Sequence, residues 1–107
     1  HWTRDRTRGP LHGIEEMVRR LTSANAEAIG LYDRGRIAAG MRADINIVDY
    51  EALQLQVPEV CYDLPAEGKR LLQRSAGFDA TIVAGVSTWR HGEATGALPG
   101  RLLRSGR

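Results

Sequence analysis

A single cysteine, Cys61, leaves this chain no intrachain disulfide to form, so a disulfide-stapled scaffold is excluded and nothing points to an oxidising compartment. Apolar runs are short, and none approaches the roughly 20 residues that a membrane-spanning helix needs. Charge of one sign is also missing: 15 basic residues face 13 acidic ones, for a net charge of +2. A pI of about 9.1 therefore implies at most a weak, salt-sensitive attraction to nucleic acid. Aromatic residues are few, at 6%, and only Trp2 neighbours the dense basic run of Arg4, Arg6 and Arg8, so no nucleic-acid footprint is expected. Internal repeats and low-complexity blocks are absent, which argues against a solenoid or a linker. The first nine residues carry charge but no signal-type apolar core and no initiating Met, so the start reads as internal to a longer chain, with a cytoplasmic location as the default.

What is present is ordinary globular material, 42% hydrophobic and 26% charged over 107 residues, enough for one modest core. Pro10 offers a helix start, and Leu11, Ile14, Met17, Val18 and Leu21 recur at helical spacing. Glu15 and Glu16 come four residues before Arg19 and Arg20, in the order that suits the helix dipole. Thr22 or Ser23 can cap a second, shorter helix that runs through Ala24, Ala26, Ala28 and Ile29 and stops at Gly30. Beyond Gly30 helical periodicity ends. Alternation predicts a strand near residues 43–49, and Pro58 and Pro65 make residues 50–68 mainly an irregular excursion, with a possible short strand through Leu53, Leu55 and Val57. Further strands are predicted at 69–74, at 81–83 and, after a turn at Ala84-Gly85, at 86–91; a second turn at His91-Gly92 returns the chain through residues 93–95. Residues 101–104 are predicted to add a last edge contact before an exposed tail at 105–107.

Gly35, Ile37, Gly40, Ala43, Asp44 and Asp49 fill every position of a Gly-x-Ile-x-x-Gly-x-x-Ala-Asp-x-x-x-x-Asp pattern. This stretch resembles the point at which amidohydrolases leave their catalytic barrel for a small β domain. The segments Thr81-Ile-Val-Ala-Gly85, His91-Gly-Glu93 and Thr95-Gly96-x-x-Pro99-Gly100-Arg101 resemble the closing hairpins of the N-acyl-D-amino-acid deacylase (D-aminoacylase) branch. His1-Trp-x-Arg-Asp5, the helix near Val18-Arg-Arg-Leu-Thr-Ser23 and the turn Asp33-Arg-Gly35 look like the same branch. The resemblance implies an α+β chain. Residues 1–34 would be the last helices of an incomplete TIM-like barrel, and residues 35–107 part of a small antiparallel β-sandwich domain. It also implies a parent enzyme that uses zinc-bound water to hydrolyse an N-acyl-D-amino acid. The family's His-x-His pair, bridging Lys or Cys, later single His residues and catalytic Asp have no counterpart here, so this chain is expected to hold no metal, to supply no catalytic residue and to be inactive alone.

The residues read individually agree. His1, His12 and His91 lack the paired spacing of a zinc site. Asp44 and Asp49 sit on opposite faces of a regular strand, which suits backbone hydrogen bonding at its two turns better than a shared proton. No nearby His or helix start activates Cys61, and Gly35 and Gly40 precede a strand and so serve turning rather than phosphate binding. Tyr62, Asp63 and Arg70 belong to the excursion, which could approach a barrel mouth in the parent. Trp89 is explained by sheet packing. A second reading is a free-standing module that self-associates, as a dimer with or without exchanged elements, because faces shaped to cover missing neighbours would seek partners.

Overall fold

The computed structural model describes residues 2–104. It is α+β with helices first and antiparallel strands after, and the chain divides into two compact units, His1–Asp44 and Ile45–Arg107. Residues 33–44 close a loop upon themselves within the first unit, as described below.

In the first unit the amide of His12 donates to the carbonyl of Trp2 at 3.0 Å, and the Arg6 guanidinium lies 4.4 Å over the Trp2 ring. That bridge holds residues 10–12 outside any helix, so Pro10 does not start one; α1 spans Ile14–Leu21 behind an extended Gly13. Of the two i,i+4 bridges expected, Glu16–Arg20 forms, at 2.6 Å, while Arg19 bonds Glu16, at 2.8 Å, in place of Glu15. These guanidiniums, Arg19 first, hold the Glu16 carboxyl down at about 2. The apolar stripe of α1 is real in sequence, yet none of its residues is buried. The short helix α2, Ser23–Ala28, is not capped by a side chain, because the Thr22 hydroxyl donates back to the Val18 carbonyl at 2.7 Å. It ends as predicted at Gly30: the Gly30 amide donates to Glu27 and that of Leu31 to Ala26, the paired bonds of a Schellman motif. Ala26, 8% exposed, is the one buried hydrophobic residue among those described.

Among the described residues the second unit holds three antiparallel sheets. β1 (Ile45–Val48), β6 (Phe78–Val83), β7 (Val86–Arg90) and β8 (Glu93–Ala94) form a four-stranded sheet in the order β1-β6-β7-β8. Ile45 and Ile47 face Ile82 and Ala80, so one face of this sheet is apolar, while Asn46 pairs with Thr81 on the other and accepts its hydroxyl at 2.9 Å. The turns at Ala84-Gly85 and His91-Gly92 fall where the sequence places them, both with positive φ throughout, matching the twist of a tight hairpin.

Residues 50–68 differ from the expected excursion. β2 (Gln54–Leu55) pairs with β5 (Ser75–Ala76), and β3 (Glu59–Leu64) pairs with β4 (Gly68–Leu72), so the stretch is one arm of a long ribbon. Pro58 lacks an amide hydrogen and splits the ladder in two without ending it, since the amide of Gln56 still bonds the Arg74 carbonyl at 2.9 Å. The ribbon turns on Ala66 and Glu67, both left-handed. At its base a Cβ on Gly77 would stand 2.6 Å from the Leu53 Cα, with φ +89, so this position takes only glycine. Residues 101–104 form no strand, so the predicted edge contact is not made; the tail at 105–107 lies outside the described residues.

Candidate functional site

The signature stretch forms a closed loop within the first unit. The amide of Arg42 donates to the Asp33 carbonyl at 2.7 Å, tying the loop's ends together. Arg42 Nε reaches both oxygens of Asp44, at 3.0 and 2.9 Å, and Arg34 Nη1 adds a longer contact at 3.5 Å. Arg34 also bonds Asp33 at 2.8 Å, and that bond holds the Asp33 carboxyl below its usual range. Asp44 is thus gripped by guanidiniums, partners that the turn reading does not name. Gly35 lies against α2: a Cβ there would stand 2.9 Å from the Ser23 Cα and 3.1 Å from the Ala26 Cβ, with φ +84, so the glycine allows helix and loop to touch. Arg36 adds an ion pair to Glu27 of the same helix. Asp49 behaves as predicted: its carboxylate accepts the amides of Glu51 at 3.0 Å and Ala52 at 3.2 Å.

The second unit carries a groove of roughly 630 Å³ between the base of the ribbon and the β6–β7 hairpin. Gln56, Gln73 and Arg74 line one side, Asp79, Trp89 and His91 the other. The His91 amide bonds the Asp79 carbonyl at 2.9 Å, and its Nδ1 lies 3.8 Å from Asp79 Oδ1, an ion pair only when the imidazole is protonated. Both groups are well exposed, and water screens them. Trp89, expected to pack on the sheet, is 49% exposed in this groove. Asp79 escaped the sequence reading. Counting back from the Ala84-Gly85 turn places residue 79 opposite residue 90, and the irregularity between Thr81 and Ile82 shifts it by one to His91.

The other singled-out residues do not converge. His12 stacks obliquely on Trp2, ring centres 6.1 Å apart, and His1 lies outside the described residues. Cys61 is a half-buried free thiol on β3. Asp63 and Arg70 form a two-pronged pair at 2.7 and 2.6 Å across the ribbon, which draws the Asp63 carboxyl down, with Tyr62 exposed beside them. Among the described residues no three His, Cys, Asp or Glu side chains gather as a metal site, and no helix is long and apolar enough to cross a membrane.

Comparison with known proteins gives this geometry a context. An allantoinase of Streptomyces avermitilis is 29% identical over 94 residues, which cover 86% of this chain and 19% of the relative. The chain therefore spans about one fifth of the length of that protein. No solved structure matches the present chain. The model of the Amidohydrolase family matches residues 1–95, from the first helices through the loop of Gly35 and Asp44 to the β6–β7 hairpin and β8. The chain belongs to the amidohydrolase family.

Proposed function

We propose that this chain is the C-terminal part of a metal-dependent amidohydrolase that cleaves N-acyl-D-amino acids into a carboxylate and a free D-amino acid. The carrying observation is the loop between Asp33 and Asp44: in it the signature residues do structural work, Gly35 letting the loop touch helix α2 and Asp44 binding the loop's own Arg42 and Arg34. The branch assignment rests on Thr95-Gly96-x-x-Pro99-Gly100-Arg101 and the Val18-to-Ser23 helix.

Hydrolysis of an amide needs a water made nucleophilic and a proton delivered to the leaving amine. Among the described residues no three His, Cys, Asp or Glu side chains gather to hold a zinc ion. The metal and the proton-transfer carboxylate belong to the rest of the polypeptide, and the 107-residue chain alone is inert.

The test is amine release by the intact enzyme and by the isolated chain, offered N-acetyl-D-amino acids, their L forms and allantoin. Turnover of the D substrates by the intact enzyme alone is the expected result. Preference for allantoin would replace the substrate assignment with that of the Streptomyces relative. Activity of the isolated chain would overturn the division of labour.

A further inference from the structure

The groove at the base of the ribbon sets an acid beside an aromatic ring on one face of the β6–β7 hairpin. Ala80 pairs with Arg90, Thr81 with Trp89, and the His91 amide bonds the Asp79 carbonyl, so residues 79–81 and 89–91 run in register, short of the irregularity that follows Thr81. Alternation then places Asp79 and Thr81 of β6 on the same face as Trp89 of β7. Asp79 and Trp89 are diagonal neighbours, a spacing of roughly 7–8 Å that an aromatic side chain bridges. Trp89 is 49% exposed and the Asp79 side chain 54%. Glu16, Asp33, Asp44 and Asp63 each face a guanidinium. Asp79 instead faces His91, 3.8 Å away, and that imidazole is cationic only when protonated. With the imidazole neutral, the acid keeps its charge beside an indole face.

We propose that this corner of the groove binds a small primary amine in its ammonium form. The three N–H donors of an ammonium suit the Asp79 carboxylate and the oxygen of the Thr81 hydroxyl, whose hydrogen goes to Asn46. The Trp89 ring attracts a cation through its face and offers apolar surface to an alkyl tail. An anion would be repelled by Asp79, and a neutral molecule gains nothing from its charge. Protonated His91 is a built-in competitor, because it brings its own cation to the same carboxylate. The other charges around the hairpin are matched: Arg74, across the groove, pairs with Glu59 at 3.2 Å, and Arg90, on the opposite face of β7, has Glu93 opposite it in β8. Carboxylates and guanidiniums keep their charge over the range in which an imidazole titrates. This binding is independent of the reaction proposed above.

The test uses the intact protein and follows the indole N–H signal of Trp89 by NMR, assigned through Trp89→Phe. n-Butylamine should shift that signal saturably at about pH 8, while n-butanol and butyrate leave it in place. Asp79→Asn should weaken binding at least tenfold. Lowering the pH to about 5.5 should weaken it at least threefold in the native protein, and His91→Ala should abolish that loss. A Trp89 signal that n-butylamine does not move overturns the proposal. So does an equal response to n-butanol, or binding that Asp79→Asn leaves unchanged. Should Asp79→Asn fail to fold, His91→Ala still decides, since a loss at low pH that persists without the imidazole also overturns the proposal.

Discussion

Two hairpins in the second unit share one design and differ in their surroundings. The β6–β7 hairpin turns on Ala84-Gly85 and has β1 on one side and β8 on the other. The β3–β4 hairpin turns on Ala66-Glu67, with no neighbouring strand on either side among the described residues. Both keep a pair of left-handed turn residues, but only the first places a glycine in its turn. A strand with ladder bonds on both edges is held by its neighbours whatever its own preferences. A ribbon has only its cross-strand pairs, here Asp63–Arg70 and Val60–Leu71, and so depends on its turn and on what covers its faces.

The largest way to break the comparison is Gly77→Ala, at the junction of the two systems. The added Cβ would meet the Leu53 backbone at 2.6 Å while φ stays positive, so the junction must move. We expect a loss of about 3 kcal/mol, read from urea unfolding followed by Trp89 fluorescence. Hydrogen exchange comes next: amides of β6 should exchange at least tenfold more slowly than those of Val60 and Cys61. Equal rates would mean that flanking strands do not explain the difference between the hairpins. Glu67→Gly sharpens the contrast in the other direction. It removes a left-handed side chain from the ribbon turn, where φ is 56, and should stabilise by about 1 kcal/mol, whereas Ala84→Gly beside an existing glycine should gain less. Both are measured by thermal unfolding.

The smallest effect lies in the first unit and serves as a control for both hairpins. Arg19 and Arg20 lower the Glu16 carboxyl from 4.5 to about 2. A depressed acid adds stability that is fully present above its unfolded value and is lost as pH falls through its folded value. Helical circular dichroism should therefore fall slightly between pH 4.5 and 2 in the native chain, and Glu16→Gln should abolish that step. The hairpins should not respond to this substitution.

The contrast between the hairpins also separates what could be read from sequence. Ala84-Gly85 and His91-Gly92 announce their turns through glycine between alternating residues, and both strands that flank the first were placed to within a few residues. Pro58 and Pro65 made residues 50–68 look irregular. Pro58 in fact interrupts a ladder that resumes, and Pro65 opens the 3-10 turn at the ribbon tip. In the first unit the stop at Gly30 was legible because a Schellman end is local. The late start of α1 was not, since it depends on a bond from His12 to Trp2, ten residues away.

By itself the sequence determined the family pattern, the order of helices before strands, the glycine turns and the structural role of Asp49, because each is written in neighbouring residues whose backbone preferences or local hydrogen bonds act within a few positions. Only the tertiary structure decided that Asp44 is gripped by Arg34 and Arg42, that Asp79 meets His91 and that β3 finds β4 across Pro65. Those outcomes depend on register and on which guanidinium reaches which carboxylate. Both are set by how folded segments meet and by no residue alone.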